Sequence, residues 1–570
     1  MTLRHDPRTR LHVELPCSER FLAVPPRDVC GANASAAKAR AALAVASIGV
    51  VSIGFAPVAR ADEPPSAPPA AAPPPAAAPS ASSASDDTPP VAPAAVDASP
   101  AAAPSVASPA AVPAPSTLPP APSAAPTSGR FEFGSYGRVI AGTDARGGPG
   151  RDADIVWYGS RLDEDNYAEL EFRREDHWST TDVDSTIVMT IATQSPIFHY
   201  NAKFEADFAV RNLYLETRNV GAPGVSAWAG SRMVRGDDLY LLNLWPLDNL
   251  NLLGAGAGYR TKAGSGALLA VGATQPDSPF FRQDVVRPAP LGQFGSSMAP
   301  LLDRQKFIGA AKLVYNHRLD EGEGPGPGIK AVLYGEGHAM GEGRFEPEPG
   351  AEDELLPSDG GFVVGGQFTA YTGERDGFVH VFARYASGLA AYGQFGTPGQ
   401  LALDETTQGA RELLFAAGGN VEVDLFGMML AAYVRSFRDA SEGLNFEDVD
   451  EAAVVARPTL FLGELFGVSL EGAFELAQRG AIAAPVDDPL GIPEGPKMGT
   501  VTRIGIMPYI SPAGRGNFKR PQLRLIYDAA FRSDVARSFY PVDHPGFLRS
   551  VEHFVGLGAE WWFNSTSYGF

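Results

Sequence analysis

A loop that carries both signs of charge and two large aromatic rings follows a predicted pair of strands within residues 207–250. The pair is recognised by its alternation, by the Gly- and Pro-rich turn at Gly221–Gly224 and by a second strand at Ser226–Arg232. The loop side chains suited to water and solute are Arg232, Arg235, Asp237, Asp238, Tyr240, Asn243 and Trp245. Folded inward, such a loop would line the constriction of a barrel pore. The alternative is an ordinary surface loop.

Period-two alternation recurs from Gly129 onward, with one apolar face and one charged face. In the segment 521–532, for example, Leu523 and Leu525 alternate with Gln522 and Arg524. Long segments, such as 275–305, separate some strands, while others are joined by short turns, as in outer-membrane barrels. At about ten residues per strand plus turns and loops, residues 130–570 hold about 16–18 strands. The sequence therefore predicts an all-β fold, a transmembrane antiparallel β-barrel.

The composition excludes several other classes of protein. The formal net charge is −20, which argues against a nucleic-acid partner because phosphates would be repelled. Beyond the apolar run 41–56, no stretch is long enough to form a membrane-spanning helix. The nine histidines form no metal-binding pattern, and both cysteines, Cys17 and Cys30, lie within the first 61 residues.

The N-terminal quarter of the chain is predicted to lie outside the barrel. Lys38 and Arg40 precede the apolar run, and Ala59-Arg60-Ala61 forms a small-x-small cleavage site, so residues 1–61 are predicted to be a signal peptide and leader. A membrane anchor is the alternative. Residues 62–129 are almost entirely Ala, Pro and Ser, which predicts a disordered, semi-stiff periplasmic linker that could contact the cell wall.

The ordered set of barrel segments resembles the maltoporin (sugar-specific porin) family. The resemblance lies in FEFGSYGRVIAG (131–142), NYAELEFRRE (166–175), SAWAGSRMVRGDDLYLLNLWPLD (226–248), FKRPQLRLIY (518–527) and VGLGAEWWF (555–563). It implies an 18-stranded barrel in the outer membrane of a Gram-negative-type bacterium. It also implies a homotrimer that contacts outer-membrane lipid, needs no cofactor, and takes up maltose, maltodextrins and related small-molecule sugars passively.

That family passes sugars along a row of aromatic side chains, with polar residues opposite that hydrogen-bond the hydroxyl groups. The resemblance assigns the aromatic row here to Tyr136, Tyr167, Trp245, Phe368, Phe518 and Trp562. It assigns the polar partners to Arg138, Glu169, Arg211, Arg235, Asp238 and Asn243. The chemistry is sound, because pyranose C–H groups pack on aromatic rings while carboxylates and guanidinium groups bond hydroxyls.

Strand parity tests the aromatic row independently of the family, because residues two apart in a strand share a face. Four of the aromatic residues share a face with charged residues: Tyr136 with Arg138, Tyr167 with Glu169, Phe518 with Arg524, and Trp562 with Glu560. Arg211 shares parity with the apolar Leu213 and Leu215, so parity predicts that it faces away from the lumen.

Three functions are open from the sequence. The leading one is a porin for maltose-type sugars. The second is a general diffusion porin, for which the acidic composition would favour cations. The third is a structural or adhesive surface barrel with a closed pore. No motif predicts an enzyme or a catalytic residue.

Overall fold

A computed structural model describes residues 128–566, with gaps at 145, 149, 152, 195–197, 200–201, 205, 321–325, 374–375, 442–446 and 480–496. The predicted leader 1–61 lies outside the described residues. The predicted linker 62–129 lies outside them as far as residue 127, and the first strand begins at Ser128. No helix in the described part of the chain is long and apolar enough to cross a membrane.

One closed antiparallel sheet of eighteen strands forms the described domain, so the predicted barrel of about 18 strands is confirmed. Neighbouring strands along the chain pair with each other, and the last strand pairs with the first, with Tyr136 opposite Trp562. The barrel strands are β1 (Ser128–Thr143), β2 (Tyr167–Trp178), β3 (Val183–Gln194), β4 (Asp207–Arg218), β5 (Val225–Arg235), β6 (Asn249–Arg260), β7 (Gly266–Thr274), β10 (Lys306–Arg318), β11 (Gly328–Met340), β14 (Asp359–Tyr371), β15 (Phe378–Gly388), β16 (Arg411–Val423), β17 (Phe426–Arg438), β18 (Val449–Leu462), β19 (Phe466–Arg479), β20 (Met498–Ile510), β21 (Gln522–Arg532) and β22 (Val551–Phe563).

The remaining elements lie in the connections between barrel strands. Two hairpins stand apart from the barrel sheet: β8 (Arg282–Pro288) with β9 (Ser296–Asp303), and β12 (Gly343–Phe345) with β13 (Glu354–Leu356). Among the residues that the structure describes, the short helices are two 3-10 turns (Tyr240–Leu242 and Leu389–Tyr392) and two single-turn α-helices, α1 (Asp534–Arg537) and α2 (Pro545–Leu548).

Many strands are apolar on the outside and polar on the inside, the reverse of a soluble protein. In β21, Leu523 and Leu525 are 59% and 51% exposed, while the intervening Arg524 and Gln522 are buried inside the barrel. This alternation is local in the sequence, which is why the strands could be predicted. The outward apolar band provides a surface that lipid can cover.

Connections are long at one end of the barrel and short at the other. Residues 275–305 and 389–410 join strands at the long end, whereas 179–182 and 463–465 are turns at the short end. This segregation agrees with the pattern expected of an outer-membrane barrel. The connection 511–521 is unusually long for the short end, and it carries one of the predicted site residues.

The main hydrophobic cluster lies inside the barrel, where the loop 236–248 folds inward and packs on the wall. Its leucines are at most 3% exposed: Leu239, Leu241, Leu242, Leu244 and Leu247. The wall side chains of the cluster include small ones, such as Ala416, Ala431, Ala453 and Ala473, beside larger ones, such as Leu252 and Phe382. Burial of these leucines holds the loop inside the lumen.

The first connection, 144–166, also folds into the barrel, which was not predicted. The backbone N–H groups of Ile155 and Trp157 donate to the inward carboxylates of Glu475 and Glu451, each over 3.0 Å. Wall carboxylates thus bind the loop backbone directly and satisfy donors that would otherwise be left without a partner inside the barrel.

Candidate functional site

The tip of the inward loop reaches the strands that close the barrel. Tyr240 begins the 3-10 turn of the loop, and its hydroxyl donates a 2.7 Å hydrogen bond to Glu560 on β22. The same hydroxyl accepts hydrogen bonds from Arg520 (2.8 Å) and Arg524 (3.2 Å). One phenol therefore joins the loop to three charged groups on the opposite wall.

Both ends of the inward loop are fixed to the wall by ion pairs. Asp237 pairs with Lys330 and accepts a hydrogen bond from Gln367. Asp248, at the other end, pairs with Lys312 over 2.7 Å, and both side chains are buried. Such pairs leave buried charges compensated and fix the loop where it enters and leaves the lumen.

Aromatic rings form a continuous row along the lumen. Their centroid separations are 5.9 Å for Tyr167–Tyr136, 6.5 Å for Tyr136–Trp562, 6.0 Å for Trp562–Tyr240, 5.8 Å for Tyr240–Phe518 and 6.0 Å for Phe518–Phe378. Tyr136 and Trp562 come together because β1 and β22 pair at the seam of the barrel, and their rings lie within 17° of parallel. Four of the six predicted aromatic residues therefore lie in one row.

A first group of polar residues surrounds the Tyr167 end of the row. The Tyr167 hydroxyl donates to Glu169, and Arg211 donates to both of them. Arg211 reaches the lumen because β4 bulges there: Thr190 lies opposite Asn212 and Ile191 opposite Val210, so Arg211 is the extra residue of the bulge. The parity expectation that Arg211 faces away is thereby corrected.

A second polar group lies around Tyr136. Glu164, from the first inward loop, pairs with Arg138 over 2.7 Å and with Arg161 over 2.6 Å. Both arginines also donate to the Tyr136 hydroxyl. Arg161 in addition donates to the backbone oxygen of Tyr240 over 3.0 Å, so the two inward loops contact each other at the row.

Trp245 and its neighbours form the third group. The guanidinium carbon of Arg235 lies 4.0 Å from the centroid of the Trp245 ring, and its Nε donates to Asn249 over 2.6 Å. Asn243 ends the 3-10 turn with a left-handed backbone (φ 50°), a conformation that Asn tolerates better than most residues, and it is exposed to the lumen.

Asp238 lies between two lumen cavities and belongs to the inward loop rather than to a strand. Burial raises the pKa of its carboxyl to about 6, and the neighbouring Asp237 also raises it. The guanidinium groups of Arg161 and Arg235 act in the opposite direction. The predicted residues Asp238, Asn243 and Trp245 thus occur together at the constriction.

Three adjoining cavities follow the aromatic row. The smallest, about 270 Å³, is lined by Tyr136, Arg161, Asp238, Tyr240, Asn243, Trp245, Phe518 and Trp562. It shares Asp238 and Tyr240 with a cavity of about 780 Å³. That cavity shares Phe378 with a third of about 690 Å³. The shared lining residues define one path through the barrel, with the inward loop at its narrow point.

Two predicted residues occupy places other than those expected. Phe368 lies on β14 between the buried Gln367 and Thr369, and it is 51% exposed on the outer face of the barrel. The expectation of a lumen position for Phe368 is therefore corrected. Phe518 does lie in the row, but it belongs to the connection 511–521 and not to a strand, so strand parity did not govern its direction.

Several site residues were not assigned from the sequence. Tyr240 was predicted for the constriction loop but not for the aromatic row, of which it is the central ring. Its partners Arg520 and Glu560, like Arg161 and Phe378, had no predicted role as site residues. Glu560 could have been found, because it shares its strand face with Trp562. Arg161 gave no such signal, since it lies in an irregular loop. Phe378 begins β15 and shares its strand face with His380 and Arg384, so parity could have found it.

A closed eighteen-stranded barrel, apolar outside and narrowed by an inward loop, defines an outer-membrane porin. The model of the LamB porin family matches residues 131–563, and the chain belongs to this family. The predicted family resemblance and the predicted outer-membrane location are both confirmed. No curated protein sequence matches the chain.

Solved structures with a similar fold include OccD3 (OpdP) of Pseudomonas aeruginosa, with a TM-score of 0.32 and 9% identity over 77% of this chain and 93% of that one. Wzi of Escherichia coli, described as a carbohydrate-binding β-barrel involved in group 1 capsule assembly, has a TM-score of 0.35 and 9% identity over 76% and 85%. OmpF of Salmonella typhi has a TM-score of 0.31 and 10% identity over 76% and 97%. Similarity this low carries no argument about the transported solute.

Proposed function

We propose that this porin is selective for sugars and lets oligosaccharides of the maltose type diffuse passively along its aromatic row. The observation that supports this most directly is the unbroken series of rings from Tyr167 through Trp562 and Tyr240 to Phe378. The proposal requires no catalytic residue and no cofactor.

The spacing of the rings suits a ligand that moves in steps. Pyranose units present C–H groups that pack on aromatic faces, and each contact is weak enough to be exchanged for the next. At the Tyr167 end, Glu169 and Arg211 stand beside the ring and can exchange their mutual hydrogen bonds for bonds to hydroxyl groups. Arg138 and Arg161 both donate to the Tyr136 hydroxyl and can likewise exchange these bonds for bonds to sugar hydroxyl groups.

Ion current through the purified full-length protein in a planar bilayer tests the proposal. Maltose, longer maltodextrins and sucrose would be titrated into the chamber. We expect saturable block whose half-effect concentration falls with chain length, because a longer sugar covers more of the row. Glycerol at the same concentration is the control for viscosity.

The two other functions predict different results. A general diffusion porin would conduct ions but show no saturable block by any sugar. A structural or adhesive barrel would show no steady conductance at all. Either result would remove the sugar porin as the explanation of the aromatic row.

Three further expectations accompany the proposal and have their own tests. Residues 1–61 are a cleaved leader, which N-terminal sequencing of the mature protein would reveal. Residues 62–129 are a periplasmic linker, and pull-down with purified peptidoglycan tests its contact with the cell wall. The barrel is a homotrimer, for which native mass spectrometry would give three times the mass of the mature chain.

A further inference from the structure

Three carboxylates, one lining the path and two behind its lining, each hold two guanidinium groups. Glu164 pairs with Arg138 and Arg161, at 2.7 Å and 2.6 Å. Glu560 pairs with Arg520, at 2.6 Å, and with Arg524. Glu216 pairs with Arg218 and Arg232, at 2.7 Å and 3.1 Å. Because one carboxylate compensates only one guanidinium, each group keeps one positive charge in excess.

These charges adjoin the surfaces that a ligand would touch. The guanidinium carbon of Arg520 lies 4.3 Å from the Trp562 ring centroid, and that of Arg161 lies 4.6 Å from the Tyr240 centroid. Arg232 lines the cavity of about 690 Å³, and so does Arg260, which is exposed and forms no ion pair within the described residues.

Acidic groups on the same path compensate for little of this excess. Asp237 is already paired with Lys330 and Asp248 with Lys312, one to one. Asp238 is the remaining acid of the inward loop at the constriction, and it faces Arg161. The basic side chains that line the three cavities are Arg161, Arg218, Arg232, Arg260, Lys312, Lys330 and Lys519, and the acidic ones are Glu216, Asp237, Asp238 and Asp376. The balance of charge along the path is therefore positive, although the whole chain carries −20.

An excess of acid lies elsewhere in the barrel, beneath the first inward loop. There the single guanidinium of Arg503 contacts three carboxylates, those of Asp154, Asp163 and Asp528, at 2.5–2.7 Å. Glu475 stands nearby and is fully buried. This acidic group is covered by the loop, so it does not line the path.

We infer that the path prefers anionic saccharides, sugars that carry a carboxylate or a phosphate, over neutral sugars of the same length. The inference rests on the proposed sugar porin and narrows its substrate class. Guanidinium groups bind carboxylate and phosphate through two parallel hydrogen bonds, and the rings hold the pyranose faces beside them. A narrow lumen of one charge sign also raises the local concentration of the opposite ion.

The test compares pairs of sugars that differ in charge, using block of single-channel current in the full-length protein. Digalacturonate is compared with maltose, which tests the carboxylate. Glucose 6-phosphate is compared with glucose, which tests the phosphate. We expect each acidic member to block at a concentration about tenfold lower at low salt, an advantage that shrinks as KCl increases. The reversal potential in a KCl gradient should show a preference for chloride.

Variants locate the effect. Arg260→Gln should reduce the advantage of the acidic sugar severalfold and leave block by maltose unchanged, because Arg260 adjoins the path without contacting a ring of the row. Arg344→Gln is the control, because it removes an exposed guanidinium from β12, outside the barrel sheet. It should change neither the advantage of the acidic sugar nor the block by maltose.

The outcomes separate the inference from the function on which it rests. Equal block by acidic and neutral sugars, or a preference for potassium, would overturn the inference and leave the sugar porin standing. Conductance without block by any of the four sugars would overturn both.

Discussion

The hydroxyl of Tyr240 and the carboxylate of Glu560, 2.7 Å apart, join the tip of the inward loop to the last strand of the barrel. Glu560 is 1% exposed and also forms ion pairs with Arg520 and Arg524. The narrowest point of the path is thus fixed from both sides, by leucine packing on one wall and by a charged hydrogen-bond group on the other.

Removing the Tyr240 hydroxyl should loosen the constriction. In Tyr240→Phe, the loop loses the hydrogen bond that it donates to Glu560 and the two that it accepts from Arg520 and Arg524. A hydrogen bond to a charged group stabilises by about 1.5–3 kcal/mol. We expect greater open-channel current noise and a higher mean conductance in single-channel recordings. Tyr527→Phe is the control, because Tyr527 is 42% exposed on the outer face. Recordings of Tyr240→Phe that match the wild type would show that this bond does not hold the loop.

Shortening the aromatic row should weaken binding of sugar. Trp562→Ala removes the ring between Tyr136 and Tyr240. Loss of about 1.4 kcal/mol of stacking corresponds to a tenfold rise in the concentration that gives half-maximal block by maltodextrin. Phe368→Ala removes a phenyl ring from the outer face and should leave block unchanged. Equal effects of the two substitutions would argue against a binding role for the row.

A glycine on the barrel wall makes room for the inward loop. A Cβ atom at Gly418 would lie 2.7 Å from Cδ2 of Leu239 and 2.9 Å from the backbone oxygen of Leu430. Overpacking of this kind costs about 1–3 kcal/mol, so Gly418→Ala should unfold at a lower temperature in heat-modified gel mobility. Gly309→Ala, on the outer face of β10 with no atom within 4 Å, should melt like the wild type.

Ion selectivity should change with pH through Asp238. Its pKa of about 6 lies above the usual value for Asp because the carboxyl is buried, so the group is charged at pH 7.5 and neutral well below pH 6. Loss of this negative charge as the pH falls should raise the permeability of chloride relative to potassium, measured as a shift in reversal potential. Asp238→Asn should lack this component of the shift, and an identical pH dependence in both proteins would contradict the assignment.

The strands and the direction of most site residues could be predicted, because alternation is a local property. Tyr136 and Trp562 face the lumen as their parity requires, and the register at the seam brings them together. Arg211 could not be placed in this way, since a bulge in β4 interrupts the alternation. A bulge depends on how two strands pair, so the sequence of one strand alone does not reveal it.

Contacts between distant parts of the chain could not be predicted. The first inward loop is held by hydrogen bonds such as that from Ile155 to Glu475, which are 320 residues apart. The central position of Tyr240 likewise depends on Phe518, Glu560 and Arg520, which come from connections and strands far along the sequence. Sequence patterns predict which side chains face inward but not which of them meet.

The most direct test is a crystal structure of the protein soaked with the oligosaccharide that blocks its current best. The account predicts pyranose units packed in sequence on Tyr136, Trp562, Tyr240 and Phe518, with guanidinium groups bonded to their polar edges. Sugar bound elsewhere in the lumen, with these four rings uncovered, would contradict it.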